Sequence, residues 1–298
     1  MITAPKIRLS ESAINDLKTC ERMFLLNRYL THGARRSTNS TFSFGHGWGA
    51  FVQAYGSNGG DYEKALLAAW LAYEEPDFVD ENKSWERLHW TTSQILPRLD
   101  QFFSEWEVAE FEGKPAVELS FRLDVDDRYY FVGYIDLVCR HKQTGMYSVI
   151  ELKHSGLQLE DLTPVFKNSS QALGYSVVLD QIAGDQAMWK VVYPVLQVKR
   201  SGWNFEWHRL EFQKTLLDRL NWFLSVKIDT EYLNLLLQYD SFPKRGKSCL
   251  QFNKPCRHFE ICDLEGHDEE VEYEEDTKEY QFHYQLDDLV ANHLERLT

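Results

Sequence analysis

The sequence predicts an α/β fold, and the clearest element in it is one β-hairpin. Residues 129–139 and 146–154 are rich in aromatic and β-branched side chains, and the polar turn at residues 143–145 contains a glycine. Both features favour a pair of antiparallel strands. Segments with apolar residues three and four positions apart lie on either side of the hairpin, which predicts helices around it.

The chain before the hairpin is predicted to be mostly helical. Ser10 is a suitable N-cap for a first helix over residues 8–30, because its hydroxyl can accept a hydrogen bond from the first turn. We therefore expect a helical lobe over about residues 1–110. Apolar residues at helical spacing predict three further helices, over residues 42–55, 62–75 and 86–108.

The core of the α/β fold is predicted over about residues 111–240. Its segments alternate apolar and polar residues where strands are expected, and Ser201-Gly202 forms a turn between two of them. Besides the hairpin, the predicted elements are strands over residues 116–125, 188–198 and 203–212 and helices over residues 213–226 and 229–239.

The composition is that of a folded chain. The 298 residues are 43% hydrophobic and include nine tryptophans, which is enough for a large core. The chain does not begin with a basic segment followed by an apolar one, and it has no apolar run of membrane-spanning length. We expect a cytoplasmic protein with no membrane contact.

The hairpin places charged side chains in an apolar setting. Glu151 and Lys153 are two residues apart and point to the same face of a strand, and Asp136 is predicted to lie alongside Glu151. Two carboxylates are what Mg²⁺ or Mn²⁺ takes from a protein, and a lysine beside them can orient a water or balance charge on a phosphate. The alternative is a surface ion pair, but unpaired charge is costly in the apolar run Ser148-Val-Ile-Glu-Leu-Lys.

Three motifs in this order resemble the PD-(D/E)XK nuclease superfamily. They are Gly133-Tyr-Ile-Asp136, Ile150-Glu-Leu-Lys153 and Gln171-x-x-x-Tyr175. The third resembles the RecB-like branch, where these two side chains share a face of the helix after the catalytic strands. The resemblance implies a restriction-endonuclease-like fold, with a mixed central β-sheet flanked by helices. The catalytic residues that it implies are Asp136, Glu151, Lys153, Gln171 and Tyr175.

The metal ligands that the resemblance implies are Asp136 and Glu151, together with a histidine from an N-terminal helix. In the family a short spacer separates Phe-Gly from that histidine, whereas His46 here directly follows Gly45. The expected place is nearer Gly49. Because residues 46 and 49 share a helix face, His46 could reach the same metal from one turn earlier. A structural role for His46 is the alternative.

Four cysteines form a second candidate site. Cys249, Cys256 and Cys262 have the spacing C-x6-C-x5-C on a basic loop, and Cys20 lies in the first predicted helix. Four thiols can bind Zn²⁺ or an iron–sulfur cluster, and a cytosolic chain favours metal over disulfides. The spacing alone favours zinc. One N-terminal and three C-terminal cysteines around a nuclease core, however, resemble the CRISPR-associated and AddB-like exonucleases, which implies a structural 4Fe–4S cluster.

Three other residues receive structural interpretations. Cys139 is expected to be a buried core thiol, and His258 to be packed or to face solvent. Glu118, in the strand before the hairpin, is expected to be a surface acid of an edge strand, with a contribution to the acidic site as the alternative.

The net charge of −14 is concentrated at the C-terminus. Residues 263–280 carry −9 and residues 281–298 carry −2, so the rest of the chain is near neutral and can hold a basic groove. We expect residues 263–280 to be flexible and residues 281–298 to form a short amphipathic helix. An acidic run is usually only solvated, but this one could compete with DNA for the groove or dock a basic protein partner.

These features together predict a Mg²⁺- or Mn²⁺-dependent deoxyribonuclease. The resemblance implies an exonuclease that acts on DNA ends and prefers single strands, in recombination, repair or phage DNA processing. Residues 1–262 are expected to form one nuclease domain, with a cluster loop at residues 241–262 joined to Cys20, and residues 263–298 an acidic tail. The alternative is a catalytically weak module that binds DNA ends or a partner. Oligomeric state and cleavage polarity have no signal in the sequence.

Overall fold

The computed structural model describes residues 6–29, 40–73, 83–198, 203–251, 254–262 and 278–296. Their helices are α1 (Glu11–Thr19), α2 (Glu21–Phe24), α3 (Ser40–Ser57), α4 (Tyr62–Ala72), α5 (Ser84–Glu105), α6 (Leu159–Lys167), α7 (Ser170–Ala183), α8 (Leu216–Gln238) and α9 (Leu286–Glu295). A π-helical turn, Leu25–Tyr29, follows α2, and short 3-10 turns lie at Gly184–Gln186 and Gly246–Cys249.

The strands, in chain order, are short near the ends of the chain and long in the middle. They are β1 (Ile7–Leu9), β2 (Trp106–Val108), β3 (Glu110–Phe111), β4 (Lys114–Pro115), β5 (Val117–Asp124), β6 (Tyr129–His141), β7 (Tyr147–Ile150), β8 (Lys153–Ser155), β9 (Ala187–Val198), β10 (Phe205–Gln213), β11 (Leu250–Gln251), β12 (Lys254–Pro255) and β13 (Phe282–Gln285). None of the described helices is long and apolar enough to cross a membrane.

The chain divides into two compact units. The hairpin unit comprises residues 37–119 and 134–219, and the terminal unit comprises residues 1–36, 120–133 and 220–298. The strands β5 and β6 and the helix α8 contribute residues to both.

The hairpin unit contains a mixed sheet in the order β10–β9–β7–β6. The hairpin pair β6–β7 and the pair β9–β10 are antiparallel, whereas β7 and then β8 run parallel to β9. The parallel connection requires a crossover, and α6 and α7 supply it. The sheet packs against α7 on β7 and β9, and a second apolar cluster joins Leu137 and Ile150 to Trp48 of α3 and Leu88 of α5.

The terminal unit gathers the beginning and the end of the chain. In it β1 pairs in parallel with the first residues of β6, and β13 pairs in parallel with the last residues of β5. Aromatic contacts hold α8 to these strands, as Phe131 lies 5.7 Å from Trp222, ring centroid to ring centroid. Phe223 in turn lies 4.9 Å from His293 of α9.

The predicted α/β class, with a mixed sheet flanked by helices, is confirmed. The hairpin, the strands on either side and the helices over residues 42–55 and 62–75 appear close to the predicted bounds. Ser10 caps α1 as predicted, since its hydroxyl accepts a hydrogen bond from the Ala13 backbone N–H at 3.3 Å. Cys139 is fully buried in β6, as expected.

Four predicted helices are wrong in their bounds. The helix over residues 8–30 is interrupted at Cys20, whose backbone is extended, and it is preceded by β1. The helices over residues 213–226 and 229–239 are one helix, α8, because no glycine or proline separates them. The helix over residues 86–108 ends at Glu105, since Trp106 begins β2 and pairs with His141 of β6.

At the C-terminus, α9 lies within the predicted amphipathic helix, but residues 282–285 form β13 instead. The flexible segment predicted over residues 263–280 falls mostly outside the described residues, as does the turn at Ser201-Gly202.

Candidate active site

The end of the hairpin ladder positions the two carboxylates. Leu137 and Ile150 form the last pair of the β6–β7 ladder, and Asp136 and Glu151 are the residues directly beyond it. The backbone after Ile150 leaves β6, because the Glu151 N–H donates to the Val192 carbonyl at 2.9 Å. Asp136 Oδ2 then accepts the Leu152 N–H at 2.8 Å, which fixes the carboxylate beside the departing strand.

Glu151 is the most buried charged group of the site. Its side chain is 1% exposed, and its Oε1 lies 2.5 Å from Lys153 Nζ. Its Oε2 is buried and has no hydrogen-bond partner among the described residues. A buried charged oxygen without a donor is costly, so this atom is a candidate metal ligand.

The helix α7 brings the third motif to the same place. Ser169 caps the helix by accepting the Ala172 N–H, and the next turn carries Gln171 and Tyr175. Gln171 Nε2 donates to the Tyr175 hydroxyl at 2.7 Å, and Gln171 Oε1 lies 3.5 Å from Lys153 Nζ. The predicted catalytic residues are therefore adjacent in space.

The residues of the site differ in how far they are exposed to solvent. Asp136, Lys153 and Gln171 are half-buried, whereas Glu151 and Tyr175 are buried. A phosphate from solvent would thus meet the ammonium and Asp136 first, with Glu151 beneath them.

Burial controls the ionisation of the site. It raises the pKa of Asp136 and of Glu151, and the negative charge of Asp136 raises the pKa of Glu151 further. Burial acts to lower the pKa of Lys153, but the charges of Glu151 and Asp136 outweigh it, so the pKa lies above its usual value. The site therefore holds an ammonium beside two carboxyls that resist carrying full charge together.

The helix α3 approaches the site closely because of a glycine. A Cβ at Gly45 would lie 2.6 Å from Cε1 of His154, so a larger residue here would have to displace that ring. His46, the next residue, is exposed, and its charge acts on the carboxylate of Glu118 in β5. Whether His46 binds the catalytic metal stays a prediction.

Two side chains outside the three motifs, those of Gln53 and Glu118, also belong to this group. Gln53 of α3 was not singled out, yet its Nε2 donates to Glu118 Oε1 at 2.6 Å. Glu118 is exposed as expected, but its carboxylate belongs to the site, where removal from water and the charge of Glu151 raise its pKa. The spacing of seven residues between His46 and Gln53, which puts both on one helix face, was the available signal.

The four predicted cluster cysteines meet in the terminal unit. Cys20, Cys249, Cys256 and Cys262 line one cavity of about 30 Å³, whose other walls include Met23, Leu26 and Phe259. No disulfide joins any two of the five cysteines. His258 is buried beside them, and its Nε2 lies 2.7 Å from Asn27 Oδ1, so it is packed rather than facing solvent.

Polar contacts bring the cysteine segments together. Glu21, next to Cys20, forms an ion pair with Arg245, whose Nε donates to Glu21 Oε2 at 2.7 Å. The Arg245 hydrogen bond is the main cause that lowers the pKa of Glu21, to about 2. Ser248 Oγ also donates to the Thr19 carbonyl at 2.6 Å. The extended backbone at Cys20 lets these contacts form on both sides of the thiol.

Both candidate sites are predicted to hold a metal. Across the described ranges, no group of three or more His, Cys, Asp or Glu side chains is arranged so that it could hold a metal ion. The donor types nevertheless suit the predicted groups, since carboxylate oxygens suit Mg²⁺ or Mn²⁺ and thiols suit Zn²⁺ or an iron–sulfur cluster. The unpartnered Glu151 Oε2 and the shared cysteine cavity are the observations that agree with this chemistry.

The strand ends of the mixed sheet thus place two carboxylates and a lysine beside α7. The sequence model of the PD-(D/E)XK nuclease superfamily matches residues 8–297, and the chain belongs to this superfamily. The resemblance found in the motifs is confirmed at this level. The RecB-like branch, the iron–sulfur cluster and the phage origin stay predictions.

Solved structures support the fold. The crystal structure of a "Putative exonuclease" from Eubacterium rectale covers 85% of this chain and 92% of its own, with a TM-score of 0.51 and 10% sequence identity. The crystal structure of SSO0001 covers 71% of this chain and 82% of its own, with a TM-score of 0.24 and 14% sequence identity. This similarity is too distant to support the fold. No curated protein matches the chain.

Proposed function

We propose that the chain is a Mg²⁺- or Mn²⁺-dependent nuclease that hydrolyses DNA phosphodiester bonds. Membership in the superfamily supports the activity and DNA as the substrate. The single observation that carries the site assignment is Glu151, whose buried Oε2 has no partner among the residues described and lies in the same cluster as Asp136 and Lys153.

Asp136 and Glu151 would hold the cation, with His46 as the third ligand from α3. When bound, such a cation supplies polarisation of the phosphate and a more acidic water. Because burial raises the pKa of both carboxyls, they must release a proton to carry full charge toward a cation.

Lys153, Gln171 and Tyr175 act on the substrate side. The Lys153 ammonium balances the negative charge that develops on the phosphate in the transition state. Gln171 limits where that ammonium can point, since its Oε1 lies 3.5 Å from Nζ, and Tyr175 holds the Gln171 amide through a 2.7 Å hydrogen bond. This chain of contacts fixes the ammonium relative to the carboxylates.

We propose further that the enzyme is an exonuclease with a preference for single-stranded DNA, in recombination, repair or phage DNA processing. The motif Gln171-x-x-x-Tyr175 supports the RecB-like branch. The structural relative is itself named a "Putative exonuclease". A requirement for free DNA ends is the property that distinguishes this proposal from an endonuclease.

End-labelled single- and double-stranded DNA, with circular DNA as a control, tests the activity and the end requirement together. Wild-type protein with Mn²⁺ should degrade linear DNA and leave circles intact. Asp136→Asn and Lys153→Met should leave both linear and circular DNA intact while still binding DNA. Glu110→Gln, which removes an exposed acid of β3, is the matched control and should cleave normally. Cleavage by Asp136→Asn at the wild-type rate would refute the site.

A catalytically weak binding module is the second candidate. The observation that favours it is the departure of His46 from the family spacing, together with its exposure on α3. Wild-type protein that binds DNA ends in Mn²⁺ without cleaving them would support the binding module over the nuclease.

The cysteine cavity is proposed to hold a structural 4Fe–4S cluster, ligated by Cys20, Cys249, Cys256 and Cys262. The shared cavity supports four thiol ligands, and the resemblance to iron–sulfur exonucleases supports iron over zinc. Protein purified without oxygen should contain about four iron atoms and about four acid-labile sulfide ions per chain. Stoichiometric zinc would keep the site and reject the cluster, and the absence of both metals would reject the site.

We also propose that residues 1–262 form one nuclease domain and that residues 263–298 are an acidic appendage, which could dock a basic partner. The pairing of β13 with β5 is the contact that a truncation would remove. A chain ending at residue 262 should cleave DNA but unfold at a lower temperature. Loss of cleavage in a folded truncated protein would make the C-terminal segment part of the enzyme.

A further inference from the structure

We propose that Gln53 and Glu118 are positioning residues of the carboxylate site, in which one side-chain amide holds a third carboxylate beside Asp136 and thereby raises the affinity for a divalent cation. The inference rests on the proposed function, since it concerns the same cation. Neither residue belongs to the three motifs.

Gln53 makes two hydrogen bonds with one nitrogen. It is 8% exposed, and its Nε2 donates to Glu118 Oε1 at 2.6 Å and to the Asp136 backbone carbonyl at 3.2 Å. A carboxamide nitrogen carries two hydrogens, so both bonds can form at once. One amide of α3 therefore ties the side chain of a β5 residue to the backbone of the residue that supplies the first carboxylate.

The backbone at Glu118 is unusual for a residue with a side chain. Its φ is +50°, in the left-handed region that favours glycine, although it lies within β5. Nearby, the Val138 N–H donates to the Ala116 carbonyl at 3.0 Å, so this part of β5 runs alongside β6. A strained position that keeps a glutamate instead of a glycine indicates that the side chain has a use.

The charge of Glu118 acts on the catalytic pair. Asp136 and Glu151 both interact with it electrostatically, and His46 partly offsets it. Three carboxylates against the single ammonium of Lys153 leave an excess of negative charge, which attracts a divalent cation. No three-carboxylate group among the described residues is arranged to hold a metal directly, so Glu118 would act through waters on the cation.

Direct Mn²⁺ binding, measured by calorimetry or by the resonance signal of free Mn²⁺, tests the proposal without relying on cleavage. Glu118→Gln and Gln53→Leu should each raise the dissociation constant about 10-fold, the usual effect of an outer-shell partner. The double variant should bind Mn²⁺ about as tightly as the weaker of the two single variants, because both changes break the same hydrogen bond between Gln53 and Glu118. The matched controls Glu110→Gln and Gln101→Leu change exposed residues of β3 and α5 and should bind as the wild type does.

A fourth variant, Glu118→Gly, separates positioning from folding. It removes the carboxylate and also relieves the left-handed backbone, so the protein should remain folded while Mn²⁺ binding weakens as in Glu118→Gln. Wild-type protein that fails to bind Mn²⁺ would overturn the proposed function itself. Wild-type binding that is lost in Asp136→Asn but unchanged in Glu118→Gln and Glu118→Gly would overturn only this inference.

Discussion

Replacing Glu151 with glutamine is expected to stabilise the metal-free protein. Glutamine has nearly the same shape but no charge, and the carboxylate that it replaces is 1% exposed, with an Oε2 that has no partner in the described part of the chain. Relief of a buried, unpaired charged oxygen should raise the free energy of unfolding by about 1–3 kcal/mol. For 298 residues this is a rise of roughly 2–6 °C in Tm, at about 2 °C per kcal/mol.

One contact opposes this gain. Lys153 Nζ loses its partner at 2.5 Å, but Lys153 is half-buried and its ammonium can turn toward water. The ammonium also keeps its interaction with the charge of Asp136, so the net effect should stay stabilising.

The pH dependence of the difference follows from the raised pKa of Glu151. Because the folded state binds this proton more tightly than the unfolded state does, the wild type loses stability as the pH rises from the ordinary carboxyl range through the raised pKa. The variant lacks this loss. The two proteins should therefore be similarly stable below about pH 4, where the carboxyl is protonated in both states, and should differ most above neutral pH.

Urea unfolding of chelator-treated protein between pH 4 and pH 8 measures the effect, with Glu110→Gln as the exposed control. In saturating Mn²⁺ the order should reverse, because only the wild type gains binding energy, about 2.7 kcal/mol at one hundred times Kd. A Glu151→Gln protein that is less stable than the wild type at pH 8 without metal would refute the claim that the carboxylate is held at a cost.

Four further variants test the remaining assignments. Lys153→Met should reduce single-turnover cleavage by about 10²–10³-fold while DNA affinity, measured by fluorescence anisotropy, stays near the wild-type value. His46→Ala should raise the Mn²⁺ concentration needed for half-maximal cleavage without lowering Tm, and an unchanged requirement would leave His46 a structural residue. Cys20→Ser should lower Tm and the metal content together, whereas Cys139→Ala, a small change in a buried strand, should alter neither the metal content nor cleavage.

The hairpin and the grouping of its charged side chains were predictable because they depend on local patterns. Alternating side chains fixed the faces of both strands, and a short polar turn left little freedom in register, so the placement of Asp136 beside Glu151 followed. The helix α7 was predictable in the same way, since Gln171 and Tyr175 meet through a spacing of four.

The remaining features depend on contacts between distant segments. The break at Cys20 is stabilised by partners more than two hundred residues later, such as the Pro243 carbonyl, which accepts the Arg22 N–H at 3.2 Å. The hydrogen bond between Gln53 and Glu118 requires α3 to pack beside β5, and no local pattern in either segment signals that packing. Tertiary contacts of this kind override helix propensity and spacing.

The polar contacts around the cysteine cavity bear on how much a cluster could add to stability. A metal that joins Cys20 to Cys249 would close a very long loop, and loop closure alone favours a large gain. That loop is already closed by protein groups, because Glu21 pairs with Arg245 and Ser248 donates to the Thr19 carbonyl. Much of the chain entropy is therefore lost before any cluster binds. Loss of one cysteine should weaken the terminal unit without unfolding it. Lowering the pH through the depressed pKa of Glu21, about 2, should also remove the ion pair between Glu21 and Arg245.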